Sequence, residues 1–518
     1  MLRSLRNLGR LWVIARSFAA HDALFLLDLH PAGRNAARVA KVLWHPRSDV
    51  KGLRPGQRLA LALTALGPTF IKFGQALSTR ADLLGEQVAA DLSGLQDRLP
   101  PFPFAHAKAT IETDFGVPLT ALFKSFDEIA VAAASIAQVH FAVDTDGKEV
   151  AVKILRPGIK AAFARDIEAL LWLAEQAEYR APHLLRLKPV EVVRTFAESV
   201  RMEMDLRFEA AAAQEIGENF IGDASFRVPR ADWQRTSERV LTLERVAGSR
   251  VDDPVAVAAS GADPVAVVKS AAEIFFKMVF RHGFFHADMH PGNLFVTSDG
   301  VIIGMDFGIM GRVDAATQKT LGEMLLGFLT RDYKRVAEVH IRAGFVPAHH
   351  SVDAFAQACR SIAEPILGKP IAEISIAKLL GQLFQITETF EMQAQPQLLL
   401  LQKSMLLAEG VGRALAPQVN MWELAQPLIE GWMRERLGPE GKVMDAVGTA
   451  LETLEKLPQI VARVDAITAD MAVGGLKLHP DTARALRGEE PGKGCRVNWM
   501  LWAPWLLVAV LLAALILR

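Results

Sequence analysis

Two short segments constrain this chain more than anything else in it: HADMHPGN, from His286 to Asn293, and MDFG, from Met305 to Gly308. Asp306 lies thirteen positions after Asn293. Each segment supplies an acid or an amide, the hard oxygen donors that hold a metal-bound phosphate. A chain that uses both has to fold them into loops that face one cleft. A D-F-G tripeptide alone is weak evidence; the pair in this order and at this separation is specific.

H-x-D-x-x-x-x-N followed by D-F-G is the spacing of a kinase catalytic loop and its metal-binding tripeptide. Phosphoryl chemistry clamps the nucleotide phosphates, neutralises their charge with Mg²⁺ and orients the acceptor oxygen. Asp306 follows the apolar run VIIGM, so a buried strand is expected to deliver it to the cleft as principal Mg²⁺ ligand. Asn293 is the expected second ligand, and Asp288 orients or deprotonates water or a hydroxyl. Lys153 lies in VAVK, on the second strand of a hairpin whose turn falls at Asp146-Gly147. From a rigid strand an ammonium can be aimed at the α- and β-phosphates. An exposed strand lysine is the plain alternative, and the downstream pair favours the functional reading. Glu244 to Gly248 is placed near the hinge, with Glu244 at the nucleotide.

A lysine of this kind needs an acidic partner on a neighbouring helix. The segment AESVRMEMDLRFEA reads as helical and offers Glu198, Glu203, Asp205 and Glu209. At about 100° per residue, Asp205 and Glu209 lie about 40° apart on one face, while Glu203 is about 240° from Glu209. Glu209 is therefore the expected partner of Lys153, with Glu203 second. Ahead of VAVK a glycine-rich loop is expected over the phosphates, but the chain has AVAAASIAQVH. Ala132, Ala133, Ala134, Ser135, Ala137 and Val139 are the candidate nucleotide-binding positions there. Alanine carries a Cβ and disfavours positive φ, so this loop approaches phosphate differently and flexes less than a glycine-rich one. That argues against ordinary protein-kinase activity. Upstream, KFGQ (Lys72, Gly74, Gln75) lies in a helical stretch, where by composition alone its glycine serves packing.

The 518 residues exceed one compact domain. Apolar residues make up 51% and charged residues 22%, which allows a large core and excludes global disorder. Lys plus Arg and Asp plus Glu each number 58, and this zero net charge argues against nucleic acid as a partner. Cys359 and Cys495 stand far apart without neighbours at ligand spacing, which argues against a disulfide framework or a structural zinc site. At the N-terminus Arg3, Arg6, Arg10 and Arg16 alternate with Leu2, Leu5, Leu8, Leu11 and Val13. A plain surface helix, a helix lying on a membrane and a transit peptide all fit that pattern. Val497 to Leu517 is a 21-residue run whose one strongly polar member is Asn498. At ~1.5 Å per residue it spans about 30 Å, the thickness of a bilayer core. Trp499, Trp502 and Trp505 cluster at its start, as interfacial anchors do. Lys493 and Arg496 precede it and Arg518 alone follows, so a single membrane span with a cytoplasmic catalytic body is expected, a buried helix being the alternative.

KFGQ, AAASIAQVH, VAVK, EMD followed by FEA, HADMHPGN and DFG, in that order, resemble the UbiB family of atypical kinase-like ATPases. The motifs cover about residues 60 to 330. The resemblance implies an α+β, two-lobed protein-kinase-like fold with an N-terminal helical extension, and ATP and Mg²⁺ as cofactors. It implies that Lys72, Gly74 and Gln75 occupy the place of a peptide substrate, with Glu203 and Asp205 of E-x-D set against them. It further implies an ATPase of ubiquinone biosynthesis at the cell inner membrane. Membrane lipids, quinone precursors and other biosynthetic enzymes are then its partners. A true kinase and a non-catalytic nucleotide- and lipid-binding scaffold are the rival readings. The chain departs from the family in Leu206, where Tyr commonly follows E-x-D, and in one clear C-terminal span where some bacterial members have two. It divides into a basic amphipathic leader (1–50), a helical extension with K-x-G-Q (51–118) and a kinase-like N-lobe with the Ala-rich loop and inserted helices (119–248). A mainly helical C-lobe with the catalytic loop and D-F-G (249–475), a linker (476–496) and a transmembrane helix (497–517) follow.

Overall fold

A computed structural model describes residues 2–25, 44, 46–78, 84–95, 99–180, 188–367 and 415–437, with isolated positions between 382 and 412. The expected span 497–517 and its linker lie outside the described residues. Among the described residues no helix is long and apolar enough to cross a membrane.

Strand alternation organises the N-terminal lobe. Strands β1 (Phe123–Phe126), β2 (Ala132–Ala133), β3 (Ala137–Asp144), β4 (Glu149–Leu155) and β6 (Val240–Glu244) form an antiparallel sheet in the order β1-β3-β4-β6, with β2 on β3. Val150, Val152 and Ile154 of β4 pack with Val240 and with Ala107 and Ile111 of the helix Phe104–Phe115. The period of two sends Ala151, Lys153 and Leu155 to the other face. On that face Leu155, Leu241 and Leu243 share a core with Phe163, Phe196 and Leu206. These come from the helices Ile159–Arg180, Pro189–Glu203 and Leu206–Asn219. Leu59, Leu63, Phe70 and Leu92 of the helices Pro55–Leu66, Pro68–Ser78 and Glu86–Ser93 enter the same core. The KFGQ segment is thereby packed onto the sheet face that carries Lys153.

The leader helix Leu2–Ala20 docks on these helices. Arg10 donates to Asp166 through Nε at 2.6 Å and Nη2 at 2.8 Å, and Asp166 is buried. Ser17 Oγ donates to Ala62 O at 3.0 Å. These contacts pack one face of the leader helix onto the body of the fold.

The C-terminal lobe combines short strands with helices. β5 (Phe226–Arg227), β10 (Ile302–Gly304), β9 (Leu294–Val296) and β7 (Ser249–Arg250) make a four-stranded sheet in that order. β8 (Phe284–His286) pairs with β11 (Met310–Arg312). The helices Pro264–Phe276, Ala315–Leu329, Tyr333–Arg342 and Val352–Ala363 begin where Asp263, Asp314, Asp332 and Ser351 accept a hydrogen bond from a first-turn amide. Such caps satisfy amides that have no partner within the helix.

Candidate functional site

The β3–β4 register sets Val139 opposite Lys153, and β4–β6 sets Leu241 on its other side. Lys153 Nζ donates to Glu209 at 2.8 and 2.9 Å and to Asp306 Oδ1 at 3.0 Å. Side-chain exposure rises from 7% at Glu209 to 19% at Lys153 and 53% at Asp306, so the ion pair runs from the core to the cleft. Glu209, and not Glu203, meets the lysine.

Asp205 departs from expectation. The helix Pro189–Glu203 ends, and Asp205 is the extended N-cap of the next helix at φ −127°. It accepts the Arg207 N–H at 3.1 Å and both arms of the Arg207 guanidinium at 2.9 and 2.7 Å. Asp205 therefore does not share a helical face with Glu209; capping outcompetes continuing the helix. Glu203 does face KFGQ. Lys72 Nζ lies 3.0 Å from Glu203 Oε2, an ion pair whose angles miss those of a hydrogen bond. Gln75 Nε2 donates to Leu95 O at 3.3 Å. A Cβ at Gly74 would come within 2.5 Å of Leu95 Cδ1 and 2.7 Å of Leu63 Cδ1, so this glycine lets the three extension helices close up.

Burial works against the Lys153 charge, but the Asp306 and Glu209 carboxylates outweigh it and hold its pKa above the ordinary lysine value. Burial pushes the Glu209 carboxyl up to about 7, with Lys153 pulling it down and Asp306 pushing it further up. The Lys153 ammonium holds Asp306 well below the usual carboxylate range against the effect of burial, and Lys72 and His286 add smaller pulls. Water screens part of that attraction, because Asp306 is half exposed.

HADMHPGN and MDFG lie side by side. Asp306 sits just beyond β10 at φ +57°, a left-handed conformation that Asp tolerates better than most residues. Met305 N–H donates to Asn293 O at 2.8 Å, and Ala287 N–H donates to Ile309 O at 3.0 Å. His286 has a part that no motif assigned. Its Nδ1 accepts the Asp288 N–H at 3.0 Å, which makes Nε2 the protonated nitrogen, 3.0 Å from Met305 O. One imidazole thus fixes both loops. Its place at the head of H-x-D was visible, but its partners were not. Asp288 is half-buried, and Asn293 Nδ2 donates to Asp288 O at 3.1 Å. That leaves the Asn293 amide oxygen as ligand atom. With the Asp306 carboxylate it makes the all-oxygen donor set that suits Mg²⁺.

The Ala-rich loop is a tight hairpin. Ala132 pairs with Val139 and Ala133 with Gln138, and Ala134 N–H donates to Ala137 O at 2.8 Å. Ala132 is exposed and Ala133 and Ala134 half-buried. Ser135 and Ala137 are buried, so their side chains do not line an open cleft and only their backbone is left for a ligand. Arg156 ties the loop down: Nε and Nη2 donate to Ala134 O at 3.0 and 2.8 Å, and Nη2 donates to Pro100 O at 2.8 Å. Gln138 Oε1 accepts the Phe102 N–H at 2.8 Å, and Nε2 donates to Phe102 O at 3.2 Å. The segment 99–102 is thus strapped to the loop by two side chains that no motif singled out. Glu244 ends β6 with its carboxylate bonded to Arg227. Alternation turns that carboxylate away from the face of Leu241 and Lys153, so only the backbone of Glu244 is left for the hinge.

A strand lysine joined to a helix carboxylate and to the aspartate of D-F-G, beside an H-x-D-x-x-x-x-N loop, defines an atypical protein-kinase-like fold that uses ATP for phosphoryl transfer. The ABC1 atypical kinase-like domain matches residues 94–340 and the UbiB helical domain matches residues 359–420. The chain belongs to the UbiB family. It is 42% identical over 463 residues to a "Probable protein kinase UbiB" of Pseudomonas putida (strain W619), covering 89% of this chain and 85% of that one. A protein of the same name from Marinobacter nauticus is 42% identical over 425 residues, 81% of this chain and 78% of that one. A solved complex of Rv3197 with erythromycin from Mycobacterium tuberculosis shares the fold, with a TM-score of 0.51 and 24% identity over 71% of this chain and 91% of that chain.

Proposed function

We propose that the chain is a membrane-anchored, Mg²⁺-dependent ATPase that supports ubiquinone biosynthesis by acting on or organising lipid precursors and the enzymes that process them. The observation that carries the ATP-using part is Lys153 bonded at once to Glu209 and Asp306. Glu209 keeps the ammonium aimed while Lys153 binds the α- and β-phosphates. Asp306 and Asn293 would hold the metal, which when bound neutralises phosphate charge. Asp288, its backbone fixed by His286, positions the attacking water. The strapped Ala-rich loop and the KFGQ helix on the cleft face favour water over a peptide as acceptor. The run 497–517 and its flanking charges support a single span in the inner membrane with a cytoplasmic body. Family membership supports the quinone pathway and its lipid partners.

ATP hydrolysis by the detergent-solubilised full chain, with and without anionic liposomes, tests this reading. Asp306→Asn is expected to lower kcat on the order of 10²–10³-fold. Unchanged turnover in that variant would remove the metal assignment. A strain lacking the gene is expected to lose ubiquinone and to regain it with the wild-type chain but not with Asp306→Asn. The intact Lys153–Glu209 pair also favours a second reading, transfer to a protein or a small hydroxyl compound. Labelled γ-phosphate appearing on a component of a cell extract, instead of as inorganic phosphate, would decide for it.

A further inference from the structure

A cluster outside every motif remains. The loop after the helix Tyr333–Arg342 carries His349 and His350 side by side, and the fold brings Glu391 to them. One ligand atom from each of the three lies within 4.8 Å of the other two. His349 Nε2 and Glu391 Oε2 are 3.9 Å apart, too far for a hydrogen bond. The two imidazole centroids are 4.2 Å apart. His350 Nε2 is closed off from solvent and has no hydrogen-bond partner among the described residues. A buried polar atom without a partner is costly, and a bound ion would supply the partner that the described residues do not. Phe390 walls the cluster on one side, its ring 5.3 Å from that of His350 and 4.9 Å from that of Phe355.

We propose that His349, His350 and Glu391 bind one divalent transition-metal ion, zinc in preference to others. Two imidazoles and a carboxylate are a donor set that zinc takes with an open fourth position. Zinc bonds of about 2.0–2.1 Å place tetrahedral ligand atoms about 3.3 Å apart. Closing the 3.9 Å gap therefore takes a movement of about half an ångström. Mg²⁺ wants an octahedron of oxygens, so the cation suited to the Asp306 cleft does not compete here. His349 and Glu391 are 62% and 67% exposed, which leaves the ion an open path and a place for water. The cysteine spacing that argued against a zinc site does not bear on this one, because none of its ligands is a cysteine. The ion would clip the loop that follows the kinase-like match, which ends at 340, to residue 391 within the helical match 359–420.

The test is Zn²⁺ titration by calorimetry into the full chain, in detergent, without a histidine tag and after chelator treatment, with thermal melting in parallel. The wild type is expected to bind one ion per chain at this site, with His349→Ala and Glu391→Ala each weakening it at least about tenfold. Zinc is expected to raise the melting temperature of the wild type and of Asp306→Asn, and not that of the His349→Ala/Glu391→Ala pair. Both substituted side chains are mostly exposed, so the variants are expected to melt like the chelated wild type. If the pair melts early, the zinc response of the single variants decides. Absence of a stoichiometric site in the wild type, or equal zinc affinity in wild type and variants, overturns the proposal; ATP hydrolysis bears on neither outcome.

Discussion

Lys153 owes its charge environment to two carboxylates that differ in kind, Glu209 buried and Asp306 half exposed. Glu209 is raised from 4.5 to about 7, so between those values the folded chain binds a proton more tightly than the unfolded chain. This contribution to stability is complete below about pH 4.5 and declines as pH rises to about 7. Glu209→Gln removes the titrating group, so its stability is expected to fall less than that of the wild type between pH 5 and 7.5, as read by urea denaturation. Identical pH slopes in the two proteins would show that Glu209 does not titrate there. That the motifs of Lys153, Asp288, Asn293 and Asp306 come together was legible because short spacings tie them to one fold. Glu209 was legible from helical phase, although Asp205 proved to lie outside that helix. A cap depends on which backbone amide lacks a partner, and hydrophobic periodicity does not report that.

Among the elements, the strap at 99–102 decides how the Ala-rich loop is held. Arg156 gathers Ala134 O and Pro100 O on one guanidinium. Arg156→Gln is expected to loosen the hairpin and raise the KM for ATP several-fold with little change in kcat, and Arg156→Lys to retain part of the effect. Steady-state hydrolysis separates the two constants; a fall in kcat at constant KM would place Arg156 elsewhere in the mechanism. The β3–β4 hairpin was readable from alternation and from Asp146-Gly147. Its tether was not, since Pro100 and Arg156 are 56 positions apart and nothing local in either announces the other.

Over the whole molecule, the leader and extension are part of the fold that presents Lys153. Asp166 is almost fully buried, and Arg10 makes its close, two-pronged ion pair. Arg10→Met leaves that carboxylate without its main partner and is expected to cost about 3 kcal/mol. Arg10→Met combined with Asp166→Leu is expected to recover most of the loss, because the charge that needed a partner is gone. Chemical denaturation of the single and double variants measures it, and purely additive losses would rule the pairing out as the cause.

The order of the motifs, the strand period around VAVK and the placing of the acids within H-x-D-x-x-x-x-N and D-F-G were determined by the sequence alone, since each depends on neighbours a few residues away. Tertiary structure alone decided that His286 joins Asp288 to Met305, that Arg156 ties Ala134 to Pro100, and that Glu391 comes to His349. Lys72–Glu203 was expected from the family resemblance, not from spacing, and depends on how two helices dock; the other contacts depend on which loops close on which. A pattern of spacing and hydropathy carries no record of either.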